Sequence, residues 1–506
     1  MPAQRALLEE RLSGKPEGRS QGPCVTPIKP ISRESELLLT FREERHLQRR
    51  VALGAEPLEA TRNICSGFRV TGALNEAALE QSIYELARRH EALRTRFPLV
   101  NGHPRRVIEP LVSVSLPAID LLSIPETQRP QQVLKIFAEG GDQPFDLLND
   151  LLWRIILLQV GKDDWVMLMV VDHFISDNWS INVLQRDLWT LYYAFSTNTP
   201  SPLIDLPVQF ADFAHWERHA LQGEGLEQLV SYWNKQLEGM GAIPEIRLPF
   251  EQPMPRLTGN TPSKTRSVLW PSDLTASIEE TSQRQGVTTQ IFLMAGLVLL
   301  LYRYTGEGDI GIRFAVAKRH LPETEEVVGW FSDRLVLRAK VVGKETFSAL
   351  LQHVRDTLIE AYDHQDLPYY MFPGADQELK DLHYPTVSFN MVTSKTRHVE
   401  TPAQISIRPE TLRVTKMQRP DLGQPETSPP GITITVIKSD RLSVIVRYEA
   451  NRYEAAAITG FLDNYCATLE AALAHPEKQL CEFHLPVEAK VWSGISGSRF
   501  SVAEKS

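Results

Sequence analysis

A predicted strand, a short polar turn and a predicted helix follow one another between residues 165 and 195, and this succession constrains the fold most. Trp165 to Val171 is a nearly continuous apolar run, which is typical of a strand covered on both faces. After the turn, apolar residues recur at helical spacing, at Ile181, Leu184, Leu188, Leu191, Tyr192 and Phe195. The turn at 172–180 is therefore held between two rigid elements, a position that often carries catalytic groups.

The turn reads Asp172-His173-Phe174-Ile175-Ser176-Asp177-Asn178-Trp179-Ser180 and places one imidazole beside two carboxylates. An imidazole that titrates near neutral pH can accept a proton or position a reacting group. A histidine that is only hydrogen-bonded within its own turn is the structural alternative. The residues alone leave both interpretations open.

This turn resembles the central motif of the condensation domains of nonribosomal peptide synthetases, HHxxxDG followed by Trp and Ser. His173 and Asp177 match the second His and the Asp, whereas Asp172 replaces the first His and Asn178 replaces the Gly. Asn is the non-glycine residue that best tolerates a positive φ, so we expect the backbone to absorb the glycine change.

Further segments resemble motifs of the same family and follow in the family's order. They are Arg89–Phe97 (RHEALRTRF), Phe210–Trp216 (FADFAHW), Val328–Arg334 (VGWFSDR), His364–Tyr369 (HQDLPY) and Pro385–Asn390 (PTVSFN). The ordered matches extend over about residues 28–487. On these motifs the chain is identified as a member of the condensation-domain family.

The resemblance implies an α/β fold, a pseudo-dimer of two chloramphenicol-acetyltransferase-like lobes with an active-site tunnel between them. A chain of 506 residues is also too long for one ordinary core. We expect a flexible leader or docking segment, a first lobe, a second lobe and a flexible tail, at residues 1–25, 26–206, 207–487 and 488–506. The Pro-rich segment 393–430 is expected to form a lid or a crossover.

Apolar periodicity predicts elements within these lobes. The expected elements are helices at 79–87, 273–285 and 291–304, a linking helix at 210–237 and a strand at 309–317.

The activity implied by the resemblance is transfer of an acyl or peptidyl group from a carrier-protein thioester to an amine or hydroxyl acceptor. The product would be an amide or ester in nonribosomal peptide or hybrid polyketide biosynthesis. Carrier proteins acting in trans on a free-standing enzyme would deliver the thioester on phosphopantetheine arms, and the acceptor would be carrier-bound or soluble. No directly bound cofactor and no metal are implied.

The resemblance also assigns roles to residues. His173 would act as a general base or position the nucleophile, with Asp172 beside it, and Asp177 would be a carboxylate that pairs with Arg319. The expected supporting residues are Arg94, Asn178, Trp179 and Ser180. The candidates for the tunnel wall are Ser332, Asp333, Arg334, Ser388 and Asn390.

Two segments depart from the family pattern. Where the family opens with SxAQxRxW, residues 32–39 read SRESELLL, without the Gln, Arg and Trp. Where family members carry Val-Asn-Thr, this chain has Ser332-Asp333-Arg334. We expect the new Asp-Arg pair to change the polarity of the tunnel and to accompany an unusual donor or acceptor.

Other functions remain open on the same residues. Asp172, Asp177 and Ser180 also satisfy DxxxxDxxS, the signature of the related heterocyclisation domains, although those normally lack the His that this chain has at 173. A non-catalytic docking platform would suit the lost opening motif but has no need of His173. Epimerisation domains normally sit behind a carrier domain in the same chain. Condensation is the favoured interpretation.

Composition argues against several classes of partner and ligand. The 54 basic and 63 acidic residues give a net charge of -9, which argues against a nucleic-acid or anionic-membrane surface. The longest apolar run, Ile291 to Tyr302, is shorter than the roughly 20 residues that span a bilayer. The four cysteines show no metal-ligand spacing. Because we find no signal peptide, we expect a cytoplasmic protein and, given the family, a monomer.

Overall fold

A computed structural model describes most of the chain. The described residues are 26–52, 63–111, 116, 118–240, 246–251, 263–373, 375, 387–393, 395–396, 399–400, 412–417 and 431–486. The predicted leader at 1–25 and the predicted tail at 488–506 lie outside these ranges, as does most of the segment 393–430.

Helices of the described ranges are numbered in chain order. They are α1 Phe41–Ala52, α2 Glu76–Arg89, α3 Arg129–Asp142, α4 Asn178–Ser196, α5 Phe210–Ala220, α6 Gly223–Gln236, α7 Ser272–Arg284, α8 Thr289–Thr305, α9 Phe347–Asp363 and α10 Ala455–Ala474. No single helix in these ranges combines the length and apolarity of a membrane span, and α7 and α8 reach them only as a pair bent by 105°.

Strands of the two large sheets are numbered in the same way. They are β1 Asn63–Gly72, β2 Ala118–Asp120, β3 Trp153–Gly161, β4 Asp164–Asp172, β5 Ser263–Leu269, β6 Asp309–Val316, β7 Asp333–Lys340, β8 Val387–Thr393, β9 Leu412–Lys416, β10 Ile432–Lys438 and β11 Leu442–Glu449. Short strands pair Thr95–Arg96 with Val107–Ile108, Leu99–Val100 with His103–Pro104, and Lys395–Thr396 with Val399–Glu400.

Each sheet belongs to one lobe. The first has the order β9-β1-β4-β3-β2, and the second has the order β7-β6-β8-β10-β11-β5. In the first sheet β4 lies between β1 and β3, antiparallel to both, and residues 165–171 are all buried as the apolar run predicts. Strand β9, from the segment 393–430, pairs antiparallel with β1, so this part of the chain crosses to the first lobe.

The predicted elements are present with small changes at their ends, except in the linking region. Helix α8 is almost wholly buried in the second core and begins at Thr288, whose side chain accepts a hydrogen bond from the Ile291 amide at 3.2 Å. The single helix expected at 210–237 was wrong. Two helices, α5 and α6, meet at Leu221 and Gln222, and Gly223 adopts a φ of 55° there, a conformation that favours glycine.

The segment Val328-Gly329-Trp330-Phe331 joins the two lobes by packing against both of their cores. Val328 is buried in the first core and Phe331 in the second, and the half-buried Trp330 packs against both. Gly329 lies directly on the ring of Phe210. A Cβ at Gly329 would lie 2.6 Å from Cε2 of Phe210 and closer still to two other ring atoms, so only glycine allows this approach.

We expect Gly329→Ala to destabilise the fold by about 1 to 3 kcal/mol, the usual cost of overpacking a filled core. Thermal unfolding monitored by circular dichroism measures the effect. The double variant Gly329→Ala/Phe210→Leu should recover part of the loss, because leucine leaves room for the new methyl group. An unchanged midpoint for Gly329→Ala would contradict the close approach.

Candidate active site

The turn between β4 and α4 is organised by the Asp177 side chain. Asp177 has an extended backbone and caps α4, since its Oδ1 accepts a hydrogen bond from the Ser180 amide at 2.8 Å. A carboxylate at this position satisfies an amide that the helix leaves unpaired and interacts favourably with the positive end of the helix dipole. The turn is thereby fixed to the first residues of α4.

The same carboxylate binds the second lobe. Asp177 Oδ2 accepts hydrogen bonds from the backbone amides of Phe331 at 3.2 Å and Ser332 at 3.1 Å. Ser180 Oγ accepts one from the Gly329 amide at 3.1 Å. Trp179 donates its indole N–H to the Glu325 carbonyl at 2.8 Å. The expected supporting residues Trp179 and Ser180 therefore contact the opposite lobe.

Arg319 completes this contact, and the structure places it beside Asp177 as predicted from the sequence. Its Nη2 lies 3.2 Å from Asp177 Oδ1 and donates to Ser180 Oγ at 2.8 Å, and its Nη1 donates to the Val327 carbonyl at 2.7 Å. The two side chains are only 1% and 2% exposed. A pair so shielded from water is costly to break on one side only.

Burial alone would raise the pKa of Asp177, but Arg319, Ser180 and His173 outweigh it and hold that pKa below its usual value of 3.8. Burial also lowers the pKa of Arg319 against the attraction of Asp177, yet a guanidinium stays protonated throughout the neutral range. Because the folded-state pKa of Asp177 is depressed, its contribution to stability is present above about pH 3.8 and is lost as the pH falls through the folded value.

His173 is half-buried at the end of β4. Its Nδ1 lies 2.7 Å from the Ser176 carbonyl oxygen, and since a carbonyl can only accept, Nδ1 carries the proton. In the neutral imidazole the lone pair therefore belongs to Nε2. The ring centroid lies 5.6 Å from that of Trp330, so the imidazole stands beside the segment that joins the lobes.

Asp172 is buried and takes part in the turn. Its Oδ1 accepts from the Phe174 amide at 2.7 Å, and its carbonyl accepts from Ser176 Oγ at 2.9 Å. Asn178 is the first residue of α4 and is not among the residues with positive φ. The backbone absorbs the glycine change without a positive φ, because Asn178 is already helical.

Arg89 and His90 of the RHE motif belong to a buried polar cluster whose centre was not predicted from the sequence. Arg89 Nε and His90 Nε2 both lie 2.9 Å from Oδ2 of Asp187 on α4. Complete burial lowers the pKa of His90, so we take it as a neutral donor to the carboxylate. Arg94 lies apart from this cluster and donates to the Glu109 carbonyl at 2.9 Å.

The tunnel candidates separate into two groups. Ser388 and Asn390 are half-buried on one face of β8, opposite Thr433 and Thr435 of β10. Asp333 is buried whereas Arg334 is exposed, because successive residues of a strand point to opposite faces. The two side chains therefore lie in different environments.

Asp333 pairs with Arg42 of α1, and Arg42 also donates to the Ser332 carbonyl. Helix α1 was not predicted from the sequence. A signal was present in Thr40-x-x-Glu43. The Thr40 amide donates to Glu43 Oε2 at 2.8 Å, and the Glu43 amide donates to Thr40 Oγ1 at 3.1 Å, which is a capping box.

Within the described part of the chain, no group of three or more His, Cys, Asp or Glu side chains is placed to hold a metal ion. The groups that the site offers for chemistry are an imidazole, buried carboxylates and backbone amides.

We expect Asp177→Ala and Arg319→Ala each to cost about 3 to 5 kcal/mol of unfolding free energy, because each leaves a buried charge without its partner. Their effects should be non-additive in the double variant. Urea unfolding measures all three. The wild type should lose its advantage over Asp177→Ala as the pH falls below about 3.8.

The exposed pair Arg69–Asp164 is the matched control, and Asp164→Ala should cost less than about 1 kcal/mol. Additive losses at Asp177 and Arg319 would show that the two residues do not act as a pair.

Comparison with known proteins agrees with this architecture. A linear gramicidin synthase of Brevibacillus parabrevis is 37% identical over 366 residues, which cover 72% of this chain and 5% of that protein. Phosphinothricin tripeptide synthetase PhsC of Streptomyces viridochromogenes is 34% identical over 370 residues, which cover 73% of this chain and 33% of that protein. The chain thus spans a third or less of the length of these relatives.

Solved structures share the fold. The X-domain from teicoplanin biosynthesis has a TM-score of 0.74 at 22% identity, covering 91% of this chain and all of that chain. The first condensation domain of the calcium-dependent antibiotic synthetase has a TM-score of 0.67 at 18% identity, covering 90% of this chain and all of that chain. These matches confirm the predicted two-lobed, chloramphenicol-acetyltransferase-like α/β fold. The family model for the condensation domain matches residues 46–491, and the chain belongs to the condensation-domain family of nonribosomal peptide synthesis.

Proposed function

We propose that this chain transfers an acyl or peptidyl group from a carrier-protein thioester to an amine or hydroxyl acceptor. The observation that carries the proposal is the orientation of His173. Its Nδ1–H is anchored on the Ser176 carbonyl, which leaves the basic lone pair on Nε2, and the ring stands where the two lobes meet. A histidine held in this way is prepared to accept a proton or a hydrogen bond from a nucleophile.

The chemistry requires little else from the protein. A thioester on a phosphopantetheine arm is already activated, so the enzyme needs to align the nucleophile and manage one proton. The amine or hydroxyl attacks the thioester carbon, the nucleophile loses its proton towards His173 Nε2, and the thiolate leaves and is protonated. The fixed turn supplies the alignment, because Asp177 ties it to both α4 and the second lobe.

Replacing His173 with Ala should lower acyl transfer by about 10² or more while leaving the thermal midpoint nearly unchanged. The measurement is single-turnover transfer from a loaded carrier protein to an amine acceptor, followed by intact mass spectrometry. His353, an exposed histidine on α9, provides the matched control, and His353→Ala should transfer at the wild-type rate. Equal turnover by His173→Ala and wild type would remove the proposed role.

A wild-type protein that transfers no acyl group but retains a carrier protein or a tailoring enzyme would indicate the docking platform. The change at position 172 and the lost opening motif are the sequence features that favour a docking platform. The anchored His173 argues against it, because a platform gains nothing from a fixed imidazole.

The heterocyclisation candidate makes Asp172 catalytic, whereas the hydrogen bond from the Phe174 amide to its Oδ1 gives it a role in the turn. Asn keeps an oxygen for that bond, so we expect Asp172→Asn to retain acyl transfer. Losing the negative charge beside His173 disfavours the imidazolium, so the rise of activity with pH should move to lower pH. A pH profile of the transfer rate measures this.

Heterocyclisation has a different mass signature. With a Cys, Ser or Thr acceptor it yields a product about 18 Da lighter than the linear amide, because one water is lost in ring closure. If the wild type forms this product and Asp172→Asn does not, heterocyclisation replaces condensation as the assigned function.

A further inference from the structure

Arg42 of α1 reaches from the first lobe onto the segment that joins the lobes. Its guanidinium carbon lies 4.6 Å from the centroid of the Trp330 ring, within the range of a cation–π contact. The same guanidinium pairs with Asp333 and donates to the Ser332 carbonyl. Arg42 is thus held by three neighbours on the second lobe, all within four residues of one another.

Asp333 is suited to hold this cation. Its side chain is 5% exposed, Oδ1 accepts from the Arg334 amide at 2.8 Å, and Oδ2 accepts from the Tyr369 amide at 3.2 Å. A buried carboxylate is tolerated when it is both hydrogen-bonded and paired with a positive charge. Asp333 stands where the related motif carries Asn, so the carboxylate is a feature of this chain.

Trp330 connects this pair to the candidate catalytic histidine. Its ring centroid lies 5.6 Å from that of His173, 5.9 Å from that of Phe174 and 5.9 Å from that of His46. The indole packs against the cores of both lobes. Arg42 on one side and His173 on the other therefore share one aromatic neighbour.

We propose that Arg42 and Asp333 form a positioning pair that holds the Trp330 indole beside His173 while their opposite charges balance each other near the imidazole. The pair touches no reacting atom and acts through Trp330 and through its own charges. This inference rests on the proposed acyl transfer for its effect on rate, but its effect on the titration of His173 is independent of activity.

Several charged and titratable groups contribute to the electrostatic field at His173. The charged and titratable groups around this imidazole and its neighbours come from the turn, from α1 and from the second lobe: Asp172, Asp177, His46, Arg42, Arg319 and Asp333. Asp177 and Arg319 compensate each other, as do Arg42 and Asp333. Removing one charge of a compensated pair exposes the other.

Removing either charge of the Arg42–Asp333 pair should therefore shift the titration of His173 in opposite directions. Arg42→Gln leaves the Asp333 carboxylate uncompensated, which favours the imidazolium and moves the midpoint to higher pH. Asp333→Asn leaves the guanidinium uncompensated and moves the midpoint to lower pH. We expect each shift to be about 0.5 to 1 pH unit, the size typical of a partly screened charge with one aromatic ring between it and the imidazole. The double variant should return close to the wild-type midpoint.

The titration is followed by NMR of protein labelled with ¹³C at histidine Cε1, with the His173 signal assigned by its absence from His173→Ala. Asp164→Asn, at an exposed Arg-Asp pair on the first sheet, is the matched control and should leave the midpoint unchanged. Arg42→Lys keeps the charge and should also leave the midpoint in place. If Asp333→Asn fails to fold, Arg42→Gln and Arg42→Lys together still test the sign.

Shifts in the same direction, or no shift in either single variant, would overturn the inference, because two opposite charges near the imidazole must move its midpoint in opposite directions. The pH profile of acyl transfer should follow the NMR midpoints. Opposite NMR shifts in a protein that transfers no acyl group would retain the positioning pair and reject the proposed function. Acyl transfer in a protein whose His173 midpoint does not move in the variants would retain the proposed function and reject the positioning pair.

Discussion

The Asp177 carboxylate is the interaction on which the site depends, because one side chain satisfies three separate requirements. It caps α4 through the Ser180 amide, receives two backbone amides of the second lobe and faces the Arg319 guanidinium. A buried charge is stable only when such partners are all present. The position of His173, four residues earlier, is therefore fixed by the contact between the lobes rather than by the first lobe alone.

The contact between the lobes also depends on the close packing of the segment 328–331. Within the second lobe Gly329 allows its backbone to lie on the Phe210 ring, and the Gly329 amide donates to Ser180 Oγ of the first lobe at 3.1 Å. Val328 and Phe331, on either side, enter different cores. Small displacements of this segment would disturb both cores and the Asp177 hydrogen bonds together, so packing and electrostatics support a single relative placement of the turn and the segment.

Local patterns in the sequence predicted the parts of the structure that depend on local physics. The buried strand before the turn and the apolar helix α8 follow from periodicity within a few residues. Asp177 and Arg319 are 142 residues apart in the sequence, so periodicity cannot reveal that they pair. Their pairing was predicted through the family resemblance. Asp187 beside Arg89 and His90 was missed, because contacts between distant segments leave no periodic trace. For the segment 393–430 a lid or crossover was predicted, but the pairing of β9 with β1 was not.

Asp333 and Arg334 were predicted from the sequence to change the polarity of the tunnel together, but their side chains lie in different environments. Strand alternation separates the side chain of Asp333 from that of its neighbour Arg334, and only Asp333 faces inward. An inward carboxylate must find its cation elsewhere, and here it is Arg42, from the far end of the chain. Because Arg42 then lies against Trp330, a change that looks like altered tunnel polarity in the sequence becomes, in the structure, a second electrostatic bridge between the lobes beside the Asp177–Arg319 pair.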